Sequence, residues 1–161
     1  MVIKTKLTEQ DFIRANFLLF YSKTSTRVIS VLFLFPLVIN ILLFILADKA
    51  KVSPGQIILS ALICGILPGI IYFASKRGFK RNKINEPIDY QFDEDYVSMK
   101  GDSFESKYAW QKVYKVTETK NWLMIWHNSQ VANPIHKRYL LPSELDTIKD
   151  LVHRKGLKNN F

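Results

Sequence analysis

The sequence predicts an α+β membrane protein: a two-helix transmembrane hairpin, then a small antiparallel β domain closed by a carboxyl-terminal helix. Three observations carry that reading. Residues 28–47, "VISVLFLFPLVINILLFILA", and 57–75, "IILSALICGILPGIIYFAS", are runs of twenty and nineteen residues without a charge. At about 1.5 Å per residue each reaches roughly 30 Å, the hydrocarbon thickness of a bilayer. Five cations then fall within residues 76–83. Beyond them the apolar period changes to two, the signature of strands. The predicted division is 1–27, a cytoplasmic strand and amphipathic helix; 28–75, the hairpin; and 76–161, the cytoplasmic β domain.

In the first segment Ile3-Lys4-Thr5-Lys6-Leu7 alternates as a short strand does. Thr8 and Asp11 have capping-box spacing ahead of "FIRANFLLFYSK", a helix too apolar to stand free in water. An exposed sheet edge invites aggregation, so residues 3–7 are expected to pair with the 84–161 sheet, making one domain interrupted by the helix pair. The first apolar run is read as a retained helix, because 27 mostly polar residues precede it and a second run follows within ten.

The loop 48–56, "DKAKVSPGQ", is short, and Pro54-Gly55 supplies turn chemistry, so the helices are expected to be antiparallel neighbours. Ala61, Gly65 and Gly69 recur every four residues, a stripe that suits close packing on the first helix or on a second copy. Asn40 is the one strongly polar side chain in the first run and is expected to face protein, with Ser60 or a backbone carbonyl as partner. Pro36 and Pro68 are expected at the same depth, roughly 12 Å from the cytoplasmic boundary. Neither run contains Asp, Glu, Lys, Arg or His, which disfavours an ion- or proton-coupled pathway.

The net charge of +9 is unevenly placed: +3 in residues 1–27, +1 in 48–56, +5 in 76–83 and zero in 84–161. A nucleic-acid-binding domain carries its cations on its own surface, and this one does not. Lys76, Arg77, Lys80, Arg81 and Lys83 are read as a stop at the cytoplasmic face and a contact for anionic lipid. Both termini are then cytoplasmic, in a multi-pass protein of the cell membrane. Cys64 is the only cysteine, so neither an internal disulfide nor a thiolate metal cluster is expected.

In the β domain, Ile88, Tyr90 and Phe92 alternate with polar residues, as do Val97 and Met99; Phe104, Tyr108 and Trp110 share the parity of a third strand. "VYKVTET", "NWLMIWH" and a weaker "VANPIHKRYL", disturbed by Pro134, follow. The closing helix is expected to have Ser143 as N-cap and Leu145, Ile148, Leu151 and Val152 on its apolar face.

Catalytic signatures are missing: there is no nucleophile elbow, P-loop or dinucleotide fingerprint. His127 and His136 lie on neighbouring strands without a thiolate or carboxylate and are read as surface residues in preference to a metal pair. Asp93, Glu94 and Asp95 are turn acids, and Trp110, Trp122 and Trp126 core residues. Lys137-Arg138 is read as a solvated strand end in preference to a site for an acidic partner.

The order of spans, basic exit and "YQFDEDYVSMKGDSFESKYAWQKVYKVTETKNWLMIW", with "IHKRYL" and a final helix, resembles the YcxB-like family of bacterial membrane proteins. The motifs are Phe92-Asp93-Glu94-Asp95, Tyr108-Ala109-Trp110, Val116-Thr117-Glu118-Thr119 and Ile135-His136-Lys137-Arg138, where His136 replaces the family's usual proline. The resemblance extends over nearly the whole chain, implies a reduced pleckstrin-homology-like fold and supplies no reaction. The functional expectation is a membrane-anchored interaction or sensing module that binds protein or lipid headgroup. An auxiliary subunit of a transporter or export machine, acting through its helices, is the alternative. No enzyme activity, cofactor, metal or nucleic acid is expected; the partners are membrane lipid and a protein, and a homo-oligomer is allowed.

Overall fold

The computed structural model describes residues 1–46, 52–81 and 86–161. The chain runs β1 (Val2–Thr5), α1 (Glu9–Tyr21), α2 (Thr24–Leu46), α3 (Pro54–Arg81), β2 (Ile88–Phe92), β3 (Tyr96–Lys100), β4 (Glu105–Ala109), β5 (Lys115–Glu118), β6 (Trp122–Trp126), β7 (Ala132–His136) and α4 (Pro142–Arg154). It divides into two compact units, 1–15 with 79–161, and 16–78. The 1–27 segment is therefore not a piece of its own: its strand and the start of α1 belong with the β domain.

The β unit has two antiparallel sheets, β1-β2-β3-β4 and β5-β6-β7. Ile3 lies opposite Tyr90, and Tyr90 opposite Met99. The two-residue period puts these side chains on one face, and all three are buried in one core with Val97, Leu123 and Ile135. The expected pairing of the amino-terminal strand is thus present. β6 is buried at all five positions, on both faces. Pro134 sits on β7, an edge strand, where its missing N–H is tolerated.

α4 closes the core with Ile148, Leu151 and Val152, as its spacing predicts. Its start differs from expectation. Pro142 opens the helix, and Glu144 Oε2 accepts the Leu141 N–H at 2.8 Å, so Ser143 lies inside the first turn and is not the cap. The end is a Schellman turn: Gly156 adopts φ 64°, and the Leu157 N–H reaches the Val152 carbonyl at 3.2 Å. Trp110 also leaves its expected strand. It starts a 3-10 turn, Trp110–Lys112, because its N–H bonds the Asp95 carbonyl at 3.2 Å and its indole the Asp93 carbonyl at 2.8 Å. Phe104 precedes β4 and folds over Gly101, where a Cβ would stand 2.7 Å from its ring. A side chain at 101 would require the Phe104 ring to move aside.

The second unit contains two helices long and apolar enough to cross a membrane. Their side chains are largely exposed, with Leu32 64%, Phe35 63% and Phe73 70% accessible. A core helix of a soluble protein would bury these groups; exposed apolar area on this scale suits lipid. At about 1.5 Å per residue α3 measures roughly 42 Å, longer than the ~30 Å hydrocarbon layer. Its cationic end, beyond the apolar run 57–75, is helical through Arg81.

Residues 47–51 lie outside the described residues, as do Asp48, Lys49 and Lys51 of the expected turn. Pro54-Gly55 is not part of a turn. Ser53 and Gln56 form a capping box, with Ser53 N–H on Gln56 Oε1 at 2.8 Å, and Pro54 is the first helical residue.

Candidate functional site

The residues that tie the chain before α2 to the chain after α3 form the most elaborate polar constellation of the β unit. Thr8 caps α1. Its N–H and hydroxyl donate to Asp11 Oδ2 at 3.0 and 2.7 Å, and the Asp11 N–H returns to Thr8 Oγ1 at 3.2 Å. This is the capping box that the sequence predicts. The carboxylate has a second role that local spacing does not reveal. Asp11 is only 3% exposed, and Arg138 reaches it from the turn after β7, with Nη2 at 2.5 Å from Oδ2 and Nη1 at 3.4 Å from Oδ1. Burial pushes the Asp11 carboxyl up, but the Thr8 bonds and the Arg138 guanidinium outweigh it and hold the pKa below the ordinary 3.8.

Neighbouring groups extend the tie. Arg138 Nη2 donates to Tyr139 Oη at 3.0 Å, and the Tyr139 hydroxyl donates to the Lys6 carbonyl. Thr5 Oγ1 donates to the Ile88 carbonyl at 3.1 Å. His136 explains its own place in the motif: Nδ1 accepts the Arg138 N–H at 3.1 Å, and the ring meets Trp122 edge-on at 4.6 Å. A proline there would offer neither contact. Burial lowers the His136 pKa below 6.5, Arg138 and Arg14 lower it further, and Asp11 opposes them.

Lys137 bonds Glu118, which also takes Lys149 at 2.7 Å. Burial raises the Glu118 pKa, but the two lysines overcome it and hold it below 4.5. Lys137 and Arg138 are therefore committed internally. Both are engaged in ion pairs, Lys137 with Glu118 and Arg138, its side chain 43% exposed, with Asp11. The constellation ties the segment before α2 to the segments after α3 within the β unit.

His127 and His136 are separated. His136 pairs with Trp122 at one end of β6, while the His127 N–H bonds Val131 beyond the other end. His127 Nε2 lies 2.5 Å from Asn133 Nδ2, and its ring 4.3 Å from that of Tyr108. Burial lowers its pKa, against a weaker upward pull from Asn133. Among the described residues no group of three His, Cys, Asp or Glu side chains could hold a metal. The acidic turn is structural, with Glu94 bridged to Arg154 at 2.9 Å and Asp93 Oδ2 accepting from Gln91 at 2.7 Å. Trp110, Trp122 and Trp126 are all buried.

In the helical unit, Asn40 Nδ2 donates to Ser60 Oγ at 2.8 Å, and Cys64 Sγ to the Phe33 carbonyl at 3.0 Å. One contact rises along α2 as the other descends along α3, so the helices run antiparallel. The small-residue stripe is not their contact. Ala61 and Gly65 are exposed, and a Cβ added at Gly65 or Gly69 would meet nothing within 4 Å. The contacts to α2 come from Ser60 and Cys64, each about 100° round the helix from the next residue, Ala61 or Gly65. The prolines are staggered as well. Pro36 borders a groove of about 200 Å³ with Ser60 and Ile63, and Pro68 one of about 190 Å³ with Ser30 and Phe33, more than a helical turn away. Lys76, Arg77, Lys80 and Arg81 occupy the end of α3, with Lys76 6.0 Å from the Tyr72 ring centroid. Lys83 lies outside the described residues.

Sequence reasoning missed the Asp11–Arg138 pair, since 127 residues separate its members. It also missed Asn160, whose side-chain amide bonds Glu118 and has no periodicity to betray it. No curated protein and no solved structure matches the chain. A family model does match, over residues 92–151, from the end of β2 into α4, and its description is YcxB-like protein. The motifs that carry the resemblance lie within that segment, which is similar to that family.

Proposed function

We propose that this chain is a multi-pass protein of the bacterial cell membrane whose β domain is a cytoplasmic interaction or sensing module, and not an enzyme. One observation carries the reading: β1, which precedes α2, is hydrogen-bonded to β2, which follows α3. If α2 and α3 cross a bilayer, the chain must leave and re-enter the same folded domain. The two helices are then a hairpin with both outer ends on one side. The cations at the end of α3 favour the cytoplasmic side, and anionic headgroups would hold them there. The double sheet closed by α4 suits the pleckstrin-homology-like fold that the resemblance implies. Its role would be contact with a protein or a headgroup.

The alternative, an auxiliary subunit acting through its helices, draws support from the outward face of Ala61, Gly65 and Gly69, which leaves room for another helix, of a partner or of a second copy. Photo-crosslinking in native membranes separates the two. A photoreactive residue at Tyr114 or Leu141, both exposed on the domain, is expected to yield a protein adduct. Adducts formed only from Leu62 or Ile66, exposed on α3, would overturn the interaction-module reading in favour of the subunit.

A further inference from the structure

We propose that the groove between the outer edge of β5 and α4 is an acceptor site for an extended peptide of the pattern apolar–x–x–Asn–aromatic, kept closed here by the chain's own residues 157–161. The proposal rests on the interaction-module reading and names its site and its class of partner. β5 is the edge of its sheet. Its outward groups, at Val116 and Glu118, are nevertheless occupied. The Val116 N–H donates to the Lys158 carbonyl at 2.9 Å, the Glu118 N–H to Asn160 Oδ1 at 2.6 Å, and Asn160 Nδ2 to the Glu118 carbonyl at 2.9 Å. The last two are the pair of bonds that a neighbouring strand would make, supplied by a side-chain amide in place of backbone.

Two further features complete an extended-peptide site. The Phe161 ring lies edge-on to His153 at 5.5 Å and 5.3 Å from the Lys149 ammonium, a cationic slot for an aromatic ring. Leu157 packs on the core, and Gly156 at φ 64° turns the chain from α4 onto β5. Main-chain bonds for affinity and side-chain pockets for choice are the two parts of recognition by strand addition. The resident segment fills the side-chain pockets, with Leu157 and Phe161 packed on the core, but makes the ladder incompletely. It forms no strand, and Lys158 and Asn160 are exposed. A partner segment with backbone groups opposite Val116 and Glu118 would build the fuller ladder once the resident lets go. Tethering gives the resident a high effective concentration, so it acts as an intramolecular competitor.

The test uses the full chain in detergent micelles and a fluorescein-labelled probe peptide, Gly-Leu-Lys-Asn-Asn-Phe. Two variants free the groove: the double substitution Asn160→Ala with Phe161→Ala, which keeps Leu157, and truncation after Gly156. Fluorescence anisotropy is expected to show saturable probe binding to both, about tenfold or more tighter than to the parent chain. A probe with alanine in place of its second asparagine and its phenylalanine should bind about tenfold more weakly. A variant whose Leu123 and Ile125 amides remain protected from exchange, yet which binds the probe no better than the parent, overturns the proposal. The parent chain gives an independent check: its Val116 and Glu118 amides should exchange about tenfold or more faster than those of Leu123 and Ile125. Equal protection overturns the proposal whatever the variants do. Probe binding together with crosslinks from α3 alone would sink the interaction-module reading and leave the groove standing. Crosslinks from the domain without probe binding would do the reverse.

Discussion

Arg138 carries the tie between the two ends of the chain because its partner is buried and it is not. Removing the guanidinium leaves the Asp11 carboxylate, 3% exposed, with Thr8 alone. A buried charge that loses its partner costs more than a surface pair is worth, although the 43% exposure of the Arg138 side chain screens part of the loss. Arg138→Ala is expected to destabilise the β unit by about 2 kcal/mol in denaturant unfolding, and Lys4→Ala, at the exposed Lys4–Asp89 pair, by less than about 0.5 kcal/mol. Acid should act in two stages. His127 and His136 have folded pKa values below 6.5, so the unfolded chain takes up their protons first and stability falls as the pH drops below about 6.5. Asp11 and Glu118 have folded values below 3.8 and 4.5, so their contribution is full above those values and is lost as the pH falls through the lower folded ones. Thermal melting followed by circular dichroism should show both declines, with His136→Gln reducing the first. A melting temperature that rises from about pH 7 to pH 5 would contradict the assignment.

Among the elements, the strands and α4 are legible because their apolar periods match the faces they bury: Tyr90 and Phe92 on β2, Val97 and Met99 on β3, Ile148 and Leu151 on α4. The N-cap of α1 is legible because Thr8 and Asp11 are three residues apart. The face on which α2 meets α3 is not, because in a wholly apolar helix the pattern does not mark a side. Ala61, Gly65 and Gly69 suggest one, and the contacts to α2 come from Ser60 and Cys64. The ion pairs of Arg138 and Lys137 were equally hidden, since each joins segments that only the fold brings together. Two predictions belong at this scale. Asn40→Leu removes the donor to Ser60 and should weaken the helix pair by about 0.6 kcal/mol, measured by the detergent concentration at which α2 and α3 separate. Changing Lys76, Arg77, Lys80, Arg81 and Lys83 together to Gln removes the charge bias proposed to orient the pair. Protease protection in inverted vesicles should then report a mixture of two orientations in place of one.

For the whole molecule, the consequence of β1 pairing with β2 is that the domain is assembled from both ends of the helix pair. Ile3, 3% exposed and facing Tyr90, then matters to a core made mostly of residues beyond 88. Ile3→Ala should cost about 3 kcal/mol in unfolding of the β unit. The most direct test of the account is accessibility in intact cells, using single cysteines at Val2, Ser53 and Lys158 in a Cys64→Ser background and a maleimide that cannot cross the membrane. The account predicts label at Ser53→Cys alone, with Val2→Cys and Lys158→Cys reacting together only after permeabilisation. Label at one of Val2→Cys and Lys158→Cys but not the other would place β1 and the β domain on opposite sides of the bilayer, and would contradict it.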